Sequence, residues 1–537
     1  MLRAYAERVA RHDRPSEEHV APLQQNRFTF LNATEDNPIP MDWDLSRLPR
    51  LWRYHLHYFD YARTLALANT PEPDPADRRV FLGWVEDWID HNPVGRGLAW
   101  DAFVTASRLM NWALAFAVFG HAHKGILESM ARQTAYLRAH VEYDVRANHL
   151  LKNAAALAVA GRMLGPVCTE GRAALAQGLD LLERELAEQV LPDGGHYEGS
   201  LMYHCHVLED CLMVCAVLRD PPPFLNDALT PMVRFLARAL HADGEIPLFG
   251  DAALRTRMPA RALIALAGEL CEVPAPEPAR GCYAFDHSGL YVMERDDRHA
   301  RMIVKAGLPA PPYQLGHSHC DLLSYELTVR DRRCIVDSGV KGYEPDAWRQ
   351  YCRSTGAHNT VRVNKREQLE CWDAFRVGRR CRPQVHGWRA DENVSLRASH
   401  DGFDPYRHER LVHFERRRFW VVVDTVTGPG VGRTESFIHF DPTFAVEEQE
   451  GLWRVCHEDH AIFIKTFGED SVALVRGCKD PLQGWHCPEF GTAEPAHCLI
   501  LSRQAVCPLT FGYAILVDPC DLPSRRDLEE LVGRLRP

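Results

Sequence analysis

The chain has 537 residues, of which 46% are hydrophobic and 25% charged, and 62 basic against 73 acidic side chains leave a net charge of −11. That length exceeds one compact core, so two or three domains are expected, and the composition is that of a soluble globular protein. The acidic balance and the lack of any long Lys/Arg run argue against a nucleic-acid partner, which needs a clustered basic face, yet they leave room for a local basic cleft.

The first residues, MLRAYAERVARHDRPSEEHV, lack the apolar centre of a secretory signal. No stretch reads as an uninterrupted membrane span. A cytoplasmic chain with no membrane partner is therefore expected, or a periplasmic or secreted one if a leader has been trimmed. The 17 cysteines form no CxxC pair and read as buried thiols; Cys211 and Cys215, at helical spacing, read as packing.

After an N-terminal extension (1–49), residues 50–275 read as helical. LWRYHLHYFDYARTLALA, FVTASRLMNWALAFAVFG, HLLKNAAALAVAGRML, ALAQGLDLLERELAEQVL and TPMVRFLARALHA repeat apolar residues every three or four positions. Short breaks such as TPEPDPAD and LPDGG separate them, which predicts antiparallel helix pairs stacked as a bundle, solenoid or toroid. No fixed repeat period is evident. The Pro-rich stretch at 273–281 is the expected boundary. From 282 to 537 short β-branched or alternating runs dominate, among them GLYVMER, SYELTVR, RCIVDSG, RFWVVVDTV and YAILVDP, and predict stacked antiparallel sheets.

Polar clusters interrupt both halves. GLAWDAFVTASRLMNW carries Trp100, Arg108 and Trp112; an arginine one turn from an aromatic suits a carboxylate- or sulfate-bearing sugar, or else a packed helix–helix contact. RANHLLKN places Asn148 and His149 at a helix start, where Asn is commonly a cap. DGGHYEGSLMYHCH packs Glu198, Tyr203, His204 and His206 around the start of another helix, more polar groups than packing requires. In the β half, GHSHCD holds His317 and His319; on a strand, two residues apart, they would share a face. Asp337 follows the apolar run CIV, and His358 stands in TGAHNT. Histidine nitrogens with one carboxylate suit zinc or manganese, and a solvated polar face is the alternative.

Taken together, LWRYHLHYFDY, RLMNW, RANHLLKN, DGGHYEGSLMYH, GEIPLFGD and GHSHCDLLSYEL…IVDSG…YCRSTGAHNTV resemble the heparinase II/III superfamily of polysaccharide lyases. The resemblance implies an α+β multidomain chain: an N-terminal (α/α) toroid of helical hairpins followed by a C-terminal antiparallel β-sheet sandwich domain. It implies β-elimination on an acidic, uronate-containing polysaccharide of the glycosaminoglycan kind, namely hyaluronan, chondroitin sulfate or heparan sulfate. Position by position, Asn148, His149, Tyr203 and His317 match the catalytic set. His319, Asp337 and His358 match the ligands of a structural divalent metal. Trp100, Arg108, Trp112, Glu198, His204, Arg353 and Trp372 are expected to contact substrate. The resemblance leaves open which polymer is cut, with alginate or a bacterial capsular or exopolysaccharide as alternatives. Other classes remain beside it: a metal hydrolase around His319, Asp337 and His358, a glycosidase using Asp251 and Glu198, and a non-catalytic glycan-binding or biosynthesis-associated protein. Oligomeric state is not legible.

Overall fold

The computed structural model describes residues 1–120, 123–271, 273, 281–295, 300–415, 418–517 and 523–535. Two compact units emerge, and the chain passes between them more than once. A helical unit comprises Met1–His196, Tyr203–Leu236 and Arg255–Glu277; a β unit comprises Tyr197–Met202, Ala237–Leu254 and Pro278–Pro537. The expected linker at 273–281 lies outside the described residues except for Val273 and Gly281.

In the helical unit the periodic runs are helices, including Arg50–Tyr58, Asp60–Ala68, Pro75–His91, Ala102–Phe119, Lys124–Ala139, Ala147–Leu164, Thr169–Gln189, Leu201–Val217 and Pro223–Ala239. Residues 1–49, expected as an extension, belong to this unit. The Leu2–His12 helix buries Tyr5 and Val9, and the hairpin Arg27–Phe30/Ala33–Asp36 sets Phe28 edge-on to Tyr61 at 4.8 Å. Ala102–Phe119 is long and apolar enough to cross a membrane by length and composition, and 89% of that window is buried within the fold.

The Ala-rich composition of Ala147–Leu164 has a packing reason. A Cβ on Gly161 would lie 2.4 Å from the backbone nitrogen of Leu175, and one on Gly178 would lie 2.6 Å from that of Ala158. The two helices of this hairpin therefore meet backbone to backbone along a seam that admits only small residues.

The β unit contains three larger sheets, all antiparallel. Five strands run in the order Tyr283–Phe285, Leu290–Glu294, Ala300–Lys305, Tyr325–Val329 and Arg332–Ile335. An eight-stranded sheet contains Phe419–Thr427 beside Leu509–Leu516, and a four-stranded sheet contains Val431–His439 and Val361–Val363. Side chains of all three share one apolar core. The unbroken run FWVVVDTV is explained by burial on both faces. Trp420, Val422 and Val426 enter that core, while Phe419, Val421 and Val423 are covered by Leu528, Leu531 and Val532 of the terminal helix Arg525–Leu535. Inside the unit, Arg410 holds Asp424 through two bonds of 2.7 and 2.9 Å.

Gly178→Val should force the hairpin apart and cost about 1–3 kcal/mol, read as a lower midpoint for the helical unit in differential scanning calorimetry. An unchanged midpoint would show that the seam is not tightly packed.

Candidate functional site

In the helical unit, Asn148 and His149 stand in the first turn of Ala147–Leu164, immediately after two non-glycine residues with left-handed backbone, Arg146 (φ 63°) and Ala147 (φ 52°). Such a pair is costly, on the order of 1–3 kcal/mol per residue, and persists only where surrounding contacts enforce it. They do so here: Gln189 Nε2 donates to the Ala147 carbonyl at 3.2 Å and contacts His196 through its own carbonyl oxygen at 3.0 Å. Asn148 is not the helix cap, because Arg146 occupies that position. His149 Nδ1 lies 3.0 Å from Glu142 Oε1, and the other Glu142 oxygen accepts from Asn153 at 2.9 Å. The His149 ring, half-buried, packs on Phe103 at 4.5 Å.

Tyr203 begins the part of Leu201–Val217 that belongs to the helical unit, with its ring edge-on to His206 at 5.7 Å. Two turns on, Asp210 accepts from Lys152 Nζ at 2.5 Å, which ties this helix to the one carrying Asn148. A small cavity nearby is lined by Asp60, Arg63, Lys152, Glu209, Asp210 and Arg257, whose formal charges cancel.

The expected sugar-binding role of three residues meets a different placement. Trp100, Arg108 and Trp112 are all buried. The Arg108 guanidinium donates to Gln133 Oε1 and to the Ala99 carbonyl, both at 2.8 Å, and lies 3.9 Å from the centre of the Trp88 ring. This is the helix–helix contact, with no surface presented to a glycan. His204 is likewise interior, 3.1 Å from the Met232 carbonyl, with burial pushing its pKa down to about 4.

In the β unit, His317 and His319 lie on a loop before Tyr325–Val329, not on the strand expected from their spacing. Their rings nevertheless converge on one carboxylate. Asp251 Oδ2 is 2.8 Å from His317 Nδ1, and Oδ1 is 2.8 Å from His319 Nε2. Arg349 grips both oxygens, with Nη2 at 2.9 Å from Oδ2. Burial would raise the Asp251 pKa, but Arg349 and the two imidazoles hold it well below the usual carboxylate range. A fully engaged, buried carboxylate of this kind has no proton to offer a leaving group, which removes the glycosidase reading that relied on it.

His317 Nε2 is 3.8 Å from Glu198 Oε1. Tyr343 and Phe375 flank its ring at 6.3 and 6.0 Å. Trp372, close by in the chain, is 55% exposed and presents an open aromatic face. Arg353 is buried with Nε donating to the Ser318 carbonyl at 3.2 Å, so it braces the histidine loop from within. Arg349 and Tyr343 were not singled out from sequence as parts of the site, and Asp251 entered there only as half of a glycosidase pair. The available signal was GEIPLFGD, whose Gly250 has φ +65° and whose Cβ would lie 3.0 Å from the His317 carbonyl.

The expected metal ligands are fully buried. His358 follows a short turn, Thr355–Ala357, and is set in place by Asn359, which donates to the Tyr325 and Val336 carbonyls at 2.8 and 2.9 Å. His358 Nδ1 lies 2.8 Å from Asp337 Oδ2, and the His319 and His358 rings are 5.4 Å apart. His319 Nδ1, His358 Nε2 and Asp321 Oδ1 are buried without a hydrogen-bond partner. Each imidazole thus has one nitrogen on a carboxylate and the other open, the arrangement of a metal-bound histidine. Burial pushes His319 down to about 3, keeping it neutral as a ligand must be. Among the described residues, however, no three His, Cys, Asp or Glu side chains are gathered as a ready metal cage, and Asp337 is turned to His358. Imidazole nitrogens beside carboxylates are donors of the kind a divalent ion takes.

Comparison with known proteins defines the class. The heparinase II/III N-terminus family matches residues 19–266, and the heparinase II/III-like C-terminal family matches residues 277–512. The chain belongs to the heparinase II/III superfamily. It is similar to a heparin-sulfate lyase of Bacteroides stercoris (24% identity, 70% of this chain and 64% of the relative) and to one of Pedobacter heparinus (22%, 71% and 61%). The chain thus spans less than two thirds of the length of these curated relatives. The fold is similar to the crystal structure of heparinase III (TM-score 0.78, 18% identity, 95% of this chain and 86% of that one). It also resembles a heparan sulfate lyase from Pedobacter heparinus (TM-score 0.62, 18% identity, 97% and 89%). The helical region followed by antiparallel sheets is the architecture of that family.

Arg108→Met should cost on the order of 1–3 kcal/mol by stranding the buried oxygens of Gln133 and Ala99, seen as a lower thermal midpoint. A variant as stable as the parent would contradict the packing role.

Proposed function

We propose that this chain is a polysaccharide lyase that cleaves uronate-containing glycans by β-elimination, with a glycosaminoglycan as the substrate class. What supports the reading is membership of the heparinase II/III superfamily and similarity to heparin-sulfate lyases, together with the presence in this sequence of an amide, a phenol and an imidazole at Asn148, Tyr203 and His317. Elimination needs a donor to the developing carboxylate charge, a base and an acid, and these three groups can supply them. The names of the similar proteins favour heparan sulfate as the first polymer to test.

The C5 proton of a uronate is weakly acidic because the carboxylate beside it is already charged, and its removal puts further charge on that group. In the proposed mechanism Asn148 donates to this developing charge; one such donor is typically worth roughly 3–4 kcal/mol of barrier. Tyr203 protonates the departing 4-oxygen. The base is Tyr203 itself, as phenolate, where proton and leaving group share a side, and His149 or His317 where they do not. Each acid–base group contributes roughly 10²–10⁴-fold. Trp372 offers an exposed ring for a sugar face to stack on.

A divalent ion, zinc or manganese, belongs to the same proposal, held by His319 and His358 together with the carboxylate of Asp337 or Asp321. Its contribution is structural: it would fix the loop that carries His317.

Ultraviolet absorbance followed over time with heparan sulfate, chondroitin sulfates, hyaluronan and alginate tests the reaction, because elimination leaves a conjugated double bond and hydrolysis does not. Absorbance should rise on a glycosaminoglycan; new reducing ends without absorbance would replace the lyase with a hydrolase. Tyr203→Phe should lower the rate by at least about 10²-fold with the melting midpoint kept, and substantial turnover would remove its role. His358→Ala should lose both bound metal, measured by elemental mass spectrometry, and thermal stability. A stable, fully loaded variant would displace His358 from the ligand set.

A further inference from the structure

We propose that Asp251, clamped by Arg349, is the positioning residue that fixes the tautomer and direction of His317. The inference rests on the lyase reading for its kinetic consequence, while its geometric part stands within the β unit alone. Asp251 is completely buried, and its two oxygens take four contacts: His317 Nδ1 on Oδ2, His319 Nε2 on Oδ1, and the two ends of Arg349. An ionised carboxylate has only acceptors to offer, so the nitrogens facing it carry the protons. His317 is therefore held with its proton on Nδ1, and its ring turns Nε2 toward Glu198 Oε1 at 3.8 Å. This is the logic by which a buried carboxylate selects the tautomer of a catalytic imidazole in a Ser-His-Asp triad.

The backbone reinforces the side chains. Asp251 N donates to the His317 carbonyl at 3.1 Å, and Ser200 Oγ donates to the Asp251 carbonyl at 2.7 Å. Gly250 leaves the room this approach requires. Arg349 is braced in turn: its Nε donates to the Ala374 carbonyl at 2.7 Å, and its guanidinium lies 5.0 and 5.4 Å from the Tyr343 and Phe375 rings that flank His317. A carboxylate needed only to join chain segments has no reason to engage Nδ1 of the one imidazole that reaches the partly exposed edge. His319, on the other oxygen, is wholly buried, so the same carboxylate orients an open-edge and a closed histidine at once.

The test uses the full-length protein, labelled with ¹⁵N-histidine, and Asp251→Asn. The His317 imidazole signals, assigned by their loss in His317→Gln, should report the Nδ1–H tautomer in the parent and move to the Nε2–H tautomer or to a mixture in the variant. On whichever polymer is cut, kcat should fall about 10²–10⁴-fold, the range of acid–base contributions, with KM within about threefold. An unmoved tautomer in folded Asp251→Asn overturns the proposal, as does an unchanged kcat. If Asp251→Asn does not fold, Arg349→Lys takes its place: loss of the two-point clamp should mix the tautomers and lower kcat by a smaller factor, and a parent-like spectrum overturns the proposal. The tautomer is read without substrate, so a protein that cuts no polymer would sink the lyase reading and still decide this one.

Discussion

A single carboxylate with no solvent contact, Asp251, organises the polar surroundings of His317 and His319 in the β unit. Burying a charge is unfavourable unless it is paired and its oxygens are satisfied. Asp251 meets both conditions only because Arg349 approaches with a two-pronged guanidinium while two imidazoles fill the remaining positions. Removal of any of these contacts leaves an uncompensated group, so the loop of His317 and His319, the segment Ala237–Leu254 and the helix Ala347–Arg353 depend on one another. The exposed edge of His317 is what this mutual dependence presents to solvent, with aromatic rings on either side.

The helical unit delivers its polar groups by a different device. A backbone seam at Gly161 and Gly178 brings two helices to closest approach, and at the start of the first of them Arg146 and Ala147 adopt left-handed conformations. Strain of that kind marks positions where the direction of a side chain outweighs local comfort. Asn148 and His149 are the side chains so directed. Glu142 then orients His149 while accepting from Asn153, so three polar residues of one short segment settle each other's geometry.

Charge inside this protein is mostly balanced in place. The cavity lined by Asp60, Arg63, Lys152, Glu209, Asp210 and Arg257 has equal numbers of each sign, and Arg410 with Asp424 repeats the pairing within the β unit. The second imidazole nitrogens of His319 and His358 differ from these pairs: they are buried without a hydrogen-bond partner, while Asp251 and Asp337 engage the other nitrogen of each ring. That asymmetry sets the metal proposal apart from ordinary buried ion pairing.

Periodicity alone was enough to read an all-helical first half and an all-β second half, because burial of one helix face or strand face writes its own spacing into the residues. Local signals drew notice to the polar clusters around Tyr203 and around His317, His319, Asp337 and His358, whereas Asn148 read locally as a cap and took its role only from the family resemblance. Strands such as Val394–Phe403 and Tyr406–Glu415 were not legible, since their inward residues include Ser399, His400, His408 and Arg410, satisfied across the sheet rather than along the chain. Only tertiary structure could decide that Arg108 is a packing residue and Asp251 an organising one. Both are charged residues within stretches that carry the family resemblance, RLMNW and GEIPLFGD; Arg108 meets carbonyls and rings of neighbouring helices, whereas Asp251 meets groups 66, 68 and 98 residues away. The role of a buried charge is set by its partners, and partners so distant in sequence are chosen by the fold.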